Sequence, residues 1–190
     1  MQDISLHLLD IIENSARANA ANIWIEIKVE IMKNILTIHV RDDGDGMDEE
    51  TLEKAQSPFY TSKSARKKKV GLGIPLFEQH AQMCDGDFTM ISKPNVGTEL
   101  TARFRFDHVD RMPLGDIATT IVSSILGHPE IDFHINLSRK VIDDKEFTYE
   151  LSTAEIKAEL GDIPLSYPDV INYLNETIKE GINKTKMEEI

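Results

Sequence analysis

The sequence is poor in several residue types, and each shortage excludes a class of protein. A single cysteine, Cys84, stands among 190 residues, so an internal disulfide is excluded and a reducing cytoplasm is favoured. The apolar runs are short, so we expect neither a signal peptide nor a membrane span. Basic residues number 21 against 33 acidic ones, and the net charge of −12 argues against binding to nucleic acid or to an anionic membrane.

The remaining composition is that of a globular protein with one good core or one core plus a small appendage. Apolar residues alternate with polar ones around Lys33-Asn34 and again around the turn at 94–97, which predicts two β-hairpins. Helical patterns cover residues 3–20, about 48–56 and the segment behind Gly73. The first 110 residues therefore predict an α+β domain, a two-layer α/β sandwich with helices on one face of an antiparallel sheet.

Residues 111–190 predict an α+β extension made of a helix, a β-hairpin and further helices. The helix is expected over 114–127, and the hairpin joins IDFHINL to EFTYEL. Ser152 and Glu155 match a capping box that opens a short helix ending at Gly161, and Pro168 occupies a first-turn position of the last helix. This tail is either a partner-docking element or a simple extension of the sheet and core.

The stretch VRDDGDGMDEE, residues 40–50, has two chemical interpretations. As a calcium loop it fails, because aligning Gly46 with the glycine of an EF-hand puts Arg41 and Leu52 at two ligand positions. The strand pattern before it places Asp42 on the inward face, where a carboxylate requires a donor. An exocyclic purine amine is such a donor, and the two glycines of the loop admit a flat ring. Asp48 then opens the next helix as its N-cap.

Asp10, Asn14 and Arg17 form one polar stripe on the first helix, within about 60° of arc. Asparagine is a hard oxygen ligand for Mg²⁺, arginine pairs with phosphate, and a carboxylate acts as a base for an attacking hydroxyl. A solvated helix face with an ordinary charge pair is the alternative interpretation, and the helix alone favours it.

Gly71-Leu72-Gly73 opens a later helix, and helix N-termini bind phosphates through free N–H groups. The only dense basic block of the chain, TSKSARKKK, precedes it. This block is predicted to be a polar mobile loop, and its charge also suits a lid over a triphosphate.

The order of these motifs resembles the GHKL ATPase superfamily, which contains gyrase, heat-shock chaperones of the ninety-kilodalton class, histidine kinases and MutL. The matching stretches are DIIENSARANA, DDGDGM, SPFYTSK, VGLGIPL and NVGTELTARF, within about residues 3–107. The resemblance implies the Bergerat ATP-binding fold, with ATP between helices and sheet and Mg²⁺ as cofactor.

The resemblance implies roles for residues of the first helix and of the acidic loop, which is the stretch around residues 42–48. Asn14 matches the asparagine that ligates Mg²⁺, and Arg17 stands where histidine kinases often keep a basic phosphate contact. Asp42 matches the adenine-binding aspartate. Gly44, Gly46 and Met47 belong to the same motif, DDGDGM, and are expected to contact the nucleotide with it.

Further matches lie on the phosphate side and in the second hairpin. Phe59 resembles the phenylalanine box of histidine kinases, and Lys63 closes that motif. Gly71 and Gly73 match the phosphate-side glycines, and Thr98 matches the threonine near adenine.

Two positions depart from the family pattern. The general base of the hydrolytic members, four residues before the asparagine, is usually glutamate and here is Asp10, one methylene shorter. Lys69 stands where the glycine box usually has its first glycine. Nucleotide binding is therefore better supported than turnover.

Three functions remain open, with stand-alone histidine-kinase-like ATPase domains as the nearest resemblance. The chain is a kinase that phosphorylates an unidentified protein partner, a slow ATPase that switches an assembly, or a non-enzymatic ATP sensor. PFYTSK is kinase-like and ENSARANA is MutL-like. The motif that contains Asn14 lies almost at the chain start, so we expect no helices with a phosphoacceptor histidine before it. His7 lacks the H-E/D-x-x-x-P pattern that surrounds the phosphoacceptor of histidine kinases. A homodimer is among the expected assemblies.

Overall fold

The computed structural model describes residues 3–56, 73–142, 145–187 and 190. In chain order its elements are α1 (Ile4–Arg17), β1 (Asn22–Glu30), a 3-10 turn (Ile31–Lys33), β2 (Ile35–Asp42), α2 (Glu49–Gln56), α3 (Gly73–Met83), β3 (Asp87–Lys93), β4 (Gly97–Arg105), α4 (Ile117–Gly127), β5 (Asp132–Ile142), β6 (Lys145–Ser152), α5 (Thr153–Leu160) and α6 (Pro168–Thr185).

The six strands of the described residues form one sheet in the order β3-β4-β2-β1-β5-β6. The strands β3, β4, β2 and β1 pair antiparallel with one another, as the sequence predicts. The tail hairpin joins the same sheet, because β5 pairs parallel with β1 and places Ile135 opposite Ile25. The tail thus extends the sheet, as one of the two interpretations of its sequence predicted. A docking role for it stays a prediction.

One hydrophobic core lies between the sheet and the helices. Every second residue of β1 is buried, as expected for a strand that faces a core on one side only. The largest fully buried side chains come from both parts of the chain: Phe77, Phe104, Phe133, Ile4, Leu8, Ile12, Ile23, Ile25, Ile27, Leu36, Ile38 and Ile121. Cys84 is buried too, and burial raises the pKa of its thiol, so it is a small core residue. Within the described ranges, no helix is long and apolar enough to cross a membrane.

Several predicted element ends differ from the observed ones. The first helix stops at Arg17 rather than near residue 20, because Asn19 adopts a left-handed conformation with φ of 58°. The fourth helix begins at Ile117 rather than 114, because Asp116 caps it by accepting from Thr119 N–H at 2.9 Å. Asp48 caps α2 as predicted, through Thr51 N–H at 2.8 Å.

The predicted capping box of α5 does not form through the Ser152 side chain. Ser152 is the N-cap residue, but its hydroxyl makes no cap hydrogen bond and instead lies 3.3 Å from His134 Nδ1 on β5. The helix still ends at Gly161, and Pro168 stands in the first turn of α6. A local motif was therefore overridden by a cross-strand contact.

His7 is a polar residue inside the core. Its side chain is 1% exposed and stacks on Phe77 with 4.8 Å between ring centroids. Neither of its ring nitrogens has a hydrogen-bond partner among the described residues. Burial, with a smaller contribution from the nearby His80, lowers the pKa of His7 to about 4. The ring is therefore neutral at pH 7.

Burial of neutral His7 should make the protein less stable in mild acid. Its pKa is 6.5 without the fold's influence and about 4 in the folded chain, so the unfolded chain binds more protons between these values. Stability is then lost as the pH falls from about 6.5 towards 4, by about 2 kcal/mol between pH 7 and pH 5. Urea unfolding of the wild type and of His7→Phe at both pH values measures this difference. If the two proteins lose the same stability on acidification, His7 is not the cause.

Candidate functional site

Asp42 occupies the centre of the candidate site, at the end of β2. The alternation of the strand turns it inward, and the side chain is 6% exposed. Its Oδ2 accepts from the Ser15 hydroxyl at 2.7 Å, and its Oδ1 accepts from the backbone N–H of Gly44 at 3.0 Å and of Thr98 at 3.2 Å. A carboxylate offers about four acceptor positions. One position therefore remains for a further donor, beside two neighbouring glycines.

Ser15 is a site residue that the sequence analysis missed. It follows Asn14 directly, and its hydroxyl joins α1 to the acidic loop through Asp42. Its position in the helical repeat could have revealed it. Ser15 lies four residues after Ile11 and seven after Leu8, and therefore on the apolar face of the helix. A hydroxyl on an apolar helix face requires a hydrogen-bond partner.

The other two aspartates hold the loop rather than face the core. Asp43 accepts from the backbone N–H groups of Ala21 and Asn22, each at 2.8 Å, and from the Asn22 side chain at 2.8 Å. Partial burial alone would raise the pKa of Asp43, but these hydrogen bonds outweigh it and lower the pKa below its usual value. Asp45 accepts from the Asn19 side chain at 2.7 Å. The loop is thus fixed to the chain just after α1.

The glycines of the loop permit close backbone contacts. A Cβ on Gly44 would lie 2.6 Å from the Ala18 carbonyl oxygen, and one on Gly46 would lie 1.9 Å from that of Lys93. Gly97, in the second hairpin, has φ of +117°, and a Cβ there would lie 2.0 Å from the Asp42 carbonyl oxygen. These contacts bring the hairpin that carries Thr98 against the acidic loop.

Hydrogen bonds through Ser92 also join the acidic loop to the second hairpin, β3 and β4. Met47 N–H donates to Ser92 Oγ at 2.8 Å, and Ser92 Oγ lies 2.9 Å from Thr98 Oγ1. The structure therefore brings together the sequence-predicted residues of the acidic loop and of the second hairpin, including Met47 and Thr98.

Replacing Gly46 with alanine should lower the free energy of unfolding by about 1–3 kcal/mol, because the residue has φ of +63° and the new Cβ meets the Lys93 carbonyl. Gly127→Ala is the matched control, since nothing lies within 4 Å of a Cβ there. Chemical denaturation of both variants measures the effect. Equal stability of the two variants would show that the loop is not closely packed.

The polar stripe of α1 forms as predicted. Asn14 Nδ2 donates to Asp10 Oδ2 at 3.4 Å, and Arg17 Nη1 donates to Asn14 Oδ1 at 3.2 Å. Glu13 lies beside the stripe, with its carboxylate 2.9 Å from Nε2 of His128, the residue after α4, and 3.6 Å from Arg17, and no hydrogen bond joins it to Asp10 or Asn14 among the described residues. Asp10 rather than Glu13 is therefore the carboxylate of the stripe.

Gly73 places the start of α3 against this stripe. A Cβ on Gly73 would lie 1.9 Å from Asp10 Oδ2, so the helix N-terminus approaches the carboxylate directly. The other predicted phosphate-side residues, Phe59, Lys63 and Gly71, lie outside the described residues, as does the basic block that includes Lys69. The described part of the candidate site thus consists of Asp42 and its surroundings, the α1 stripe, and Gly73 of the predicted phosphate-side glycines.

The chain matches a family model described as histidine kinase-, DNA gyrase B- and HSP90-like ATPase over residues 2–108. It is 27% identical over 100 residues to the sensor histidine kinase YvrG of Bacillus subtilis (strain 168), covering 52% of this chain and 17% of that protein. It is 34% identical over 83 residues to the tetrathionate sensor histidine kinase TtrS of Salmonella typhimurium (strain LT2), covering 44% of this chain and 13% of that protein. The chain therefore spans less than a fifth of the length of either relative.

The fold is similar to that in the crystal structure of the N-terminal domain of a DNA repair protein. The TM-score is 0.56 at 17% sequence identity, and the match covers 80% of this chain and 53% of the other. This similarity extends beyond the family model and into the tail.

Proposed function

Because this chain belongs to the histidine kinase-, DNA gyrase B- and HSP90-like ATPase family, we propose that it binds Mg-ATP and transfers the γ-phosphate to a partner protein. The adenine lies at Asp42 in this proposal, and the phosphates lie between the α1 stripe and the start of α3. Hydrolysis of ATP as a slow conformational switch is the second candidate.

The observation that carries the proposal is the state of the Asp42 carboxylate. It is buried and held by the Ser15 hydroxyl and by the N–H groups of Gly44 and Thr98, with one acceptor position left. The amino group of adenine donates to such an acceptor, whereas guanine presents an oxygen at the corresponding ring position. The pocket is therefore expected to prefer ATP and ADP over GTP.

The residues of the stripe suit the metal and the phosphates. Mg²⁺ prefers oxygen ligands and keeps several waters and substrate phosphate oxygens. Asn14 offers an amide oxygen that accepts from Arg17, so Arg17 would turn to the phosphates when the metal takes that oxygen. In the described part of the chain, no three His, Cys, Asp or Glu side chains form a metal cluster. Asn14 would therefore hold the ion together with the nucleotide.

Asp10 supports a chemical step in addition to binding. Its carboxylate lies beside both Asn14 and the backbone of Gly73, between the proposed metal ligand and the proposed phosphate site. A carboxylate there orients or deprotonates the attacking group, which is water in the hydrolytic candidate and a side chain in the kinase candidate.

The acceptor is proposed to lie on another protein. His7 is 1% exposed and stacked on Phe77, so its ring nitrogens are unavailable to a phosphoryl group in the folded chain. The two curated relatives are named as sensor histidine kinases, which favours transfer to protein over release to water.

Incubation with γ-labelled ATP, Mg²⁺ and a lysate of the source cells separates the candidates. A labelled protein band that requires the chain supports the kinase function, and free labelled phosphate without a band supports the ATPase switch. Asp42→Asn, assayed at an ATP concentration below the wild-type Kd, should weaken both signals. Binding of ATP with neither signal would leave ATP sensing and contradict the proposed transfer.

A further inference from the structure

A second cavity lies on the helix side of the sheet, away from the site described above. Its volume is about 410 Å³, which is within the range of about 300–1,000 Å³ for small-molecule sites. Ile27 of β1 and Leu137 of β5 form its floor and are paired with each other in the sheet. Ile23, four residues back along β1, pairs with Asp42, so the cavity is about 13 Å along the strand from the adenine side.

The interior of the cavity is apolar and lies between two helices of the tail. Ile117 and Ala118 line it from the first turn of α4, and Ile182 lines it from α6, followed by Met187. Because these side chains are apolar and form no hydrogen bonds, the interior suits an aliphatic or aromatic group.

The mouth of the cavity carries one group of each charge. Asp116 and Lys179 are exposed on opposite helices, and Asn183 lies one turn beyond Lys179. Asp116 uses Oδ1 to cap Thr119 N–H at 2.9 Å. Hydrogen bonds from Thr119 lower the pKa of Asp116, and the Lys179 charge adds to this effect. No ion pair among the described residues joins Asp116 to Lys179.

This distribution of charge selects among ligand types. A ligand with only a carboxylate would face Asp116, and one with only an ammonium would face Lys179. A molecule with both groups satisfies both. We infer that this cavity is a binding site for a hydrophobic α-amino acid, with its side chain between α4 and α6 and its charged groups at Asp116, Lys179 and Asn183.

Titration of the nucleotide-free protein with leucine, followed by NMR of its labelled isoleucine, leucine and methionine methyl groups, tests the inference. Leucine is expected to shift the methyl signals of Ile117, Ile182 and Met187. 4-Methylpentanoate and 3-methylbutylamine, which each lack one charged group, are expected to bind about tenfold more weakly. Methionine and phenylalanine are titrated in parallel to find the preferred side chain.

Three variants assign the binding to this cavity. Lys179→Met should weaken leucine binding about tenfold, whereas Lys184→Met makes the same change on the same helix outside the cavity and should have no effect. Ala118→Phe should fill the cavity and abolish binding, and Lys179→Met decides the question if that variant does not fold. Binding of the two single-charge analogues as tightly as leucine would overturn the inference. So would the absence of methyl shifts with all three amino acids.

Discussion

Replacing Asp10 with asparagine is expected to abolish most turnover while leaving ATP affinity nearly unchanged. The carboxylate lies against Asn14 and Gly73, where the nucleophile and the γ-phosphate would meet. A positioned base contributes about 10²–10⁴-fold in rate, whereas a loss of uniform binding would raise KM instead. Initial rates and ATP affinity are therefore measured separately for the wild type and the variant.

Two variants serve as controls for Asp10→Asn. Glu13→Gln changes a carboxylate on the same helix that lies 2.9 Å from His128 and meets the stripe only at Arg17, at 3.6 Å, so its turnover should stay much closer to the wild type than that of Asp10→Asn. Asp10→Glu restores the family's usual residue and should keep activity. Both water and protein acceptors must be assayed, because a histidine acceptor needs less help from a base. Full activity of Asp10→Asn with a hydroxyl or water acceptor would leave Asp10 as a simple helix-face carboxylate.

Asp42→Asn is expected to weaken ATP and ADP binding by about 1–3 kcal/mol, which is about fivefold to 150-fold in Kd. The amide retains one oxygen for the N–H groups of Gly44 and Thr98, and Ser15 can turn its hydroxyl to accept from the new NH₂ group. The fold should therefore survive, while the charged acceptor for the adenine amine is lost. Isothermal titration calorimetry measures the change.

The matched control for Asp42→Asn is the same substitution at Asp48. Asp48 caps α2 through Thr51 at 2.8 Å, and asparagine is an equally good cap. Asp48→Asn should therefore leave nucleotide affinity unchanged. Equal effects of the two substitutions would indicate a general response of the acidic loop to charge rather than a specific contact with adenine.

The sequence predicted the inward placement of Asp42 and the stripe on α1 because the signals for them are local. Strand alternation places Asp42 inward, and the helical repeat places Asp10, Asn14 and Arg17 on one stripe. Ser15 was missed because a serine in a helix gives no indication of its partner, and Asp42 lies 27 residues away. The local signals therefore identified the residues but not all the contacts between them.

The tail shows the limit of prediction from local pattern. Its hairpin was predicted, but the parallel pairing of β5 with β1 joins segments separated by most of the chain. No local motif encodes that register. Ser152 illustrates the same limit on a smaller scale, because its hydroxyl lies beside His134 of the neighbouring strand instead of capping α5.

Recognition of adenine by Asp42 can be measured by a paired titration of the wild type with ATP and GTP in the presence of Mg²⁺. ATP is expected to bind clearly more tightly than GTP, and Asp42→Asn is expected to remove most of this preference. Equal affinity of the wild type for ATP and GTP would contradict the assignment of the pocket.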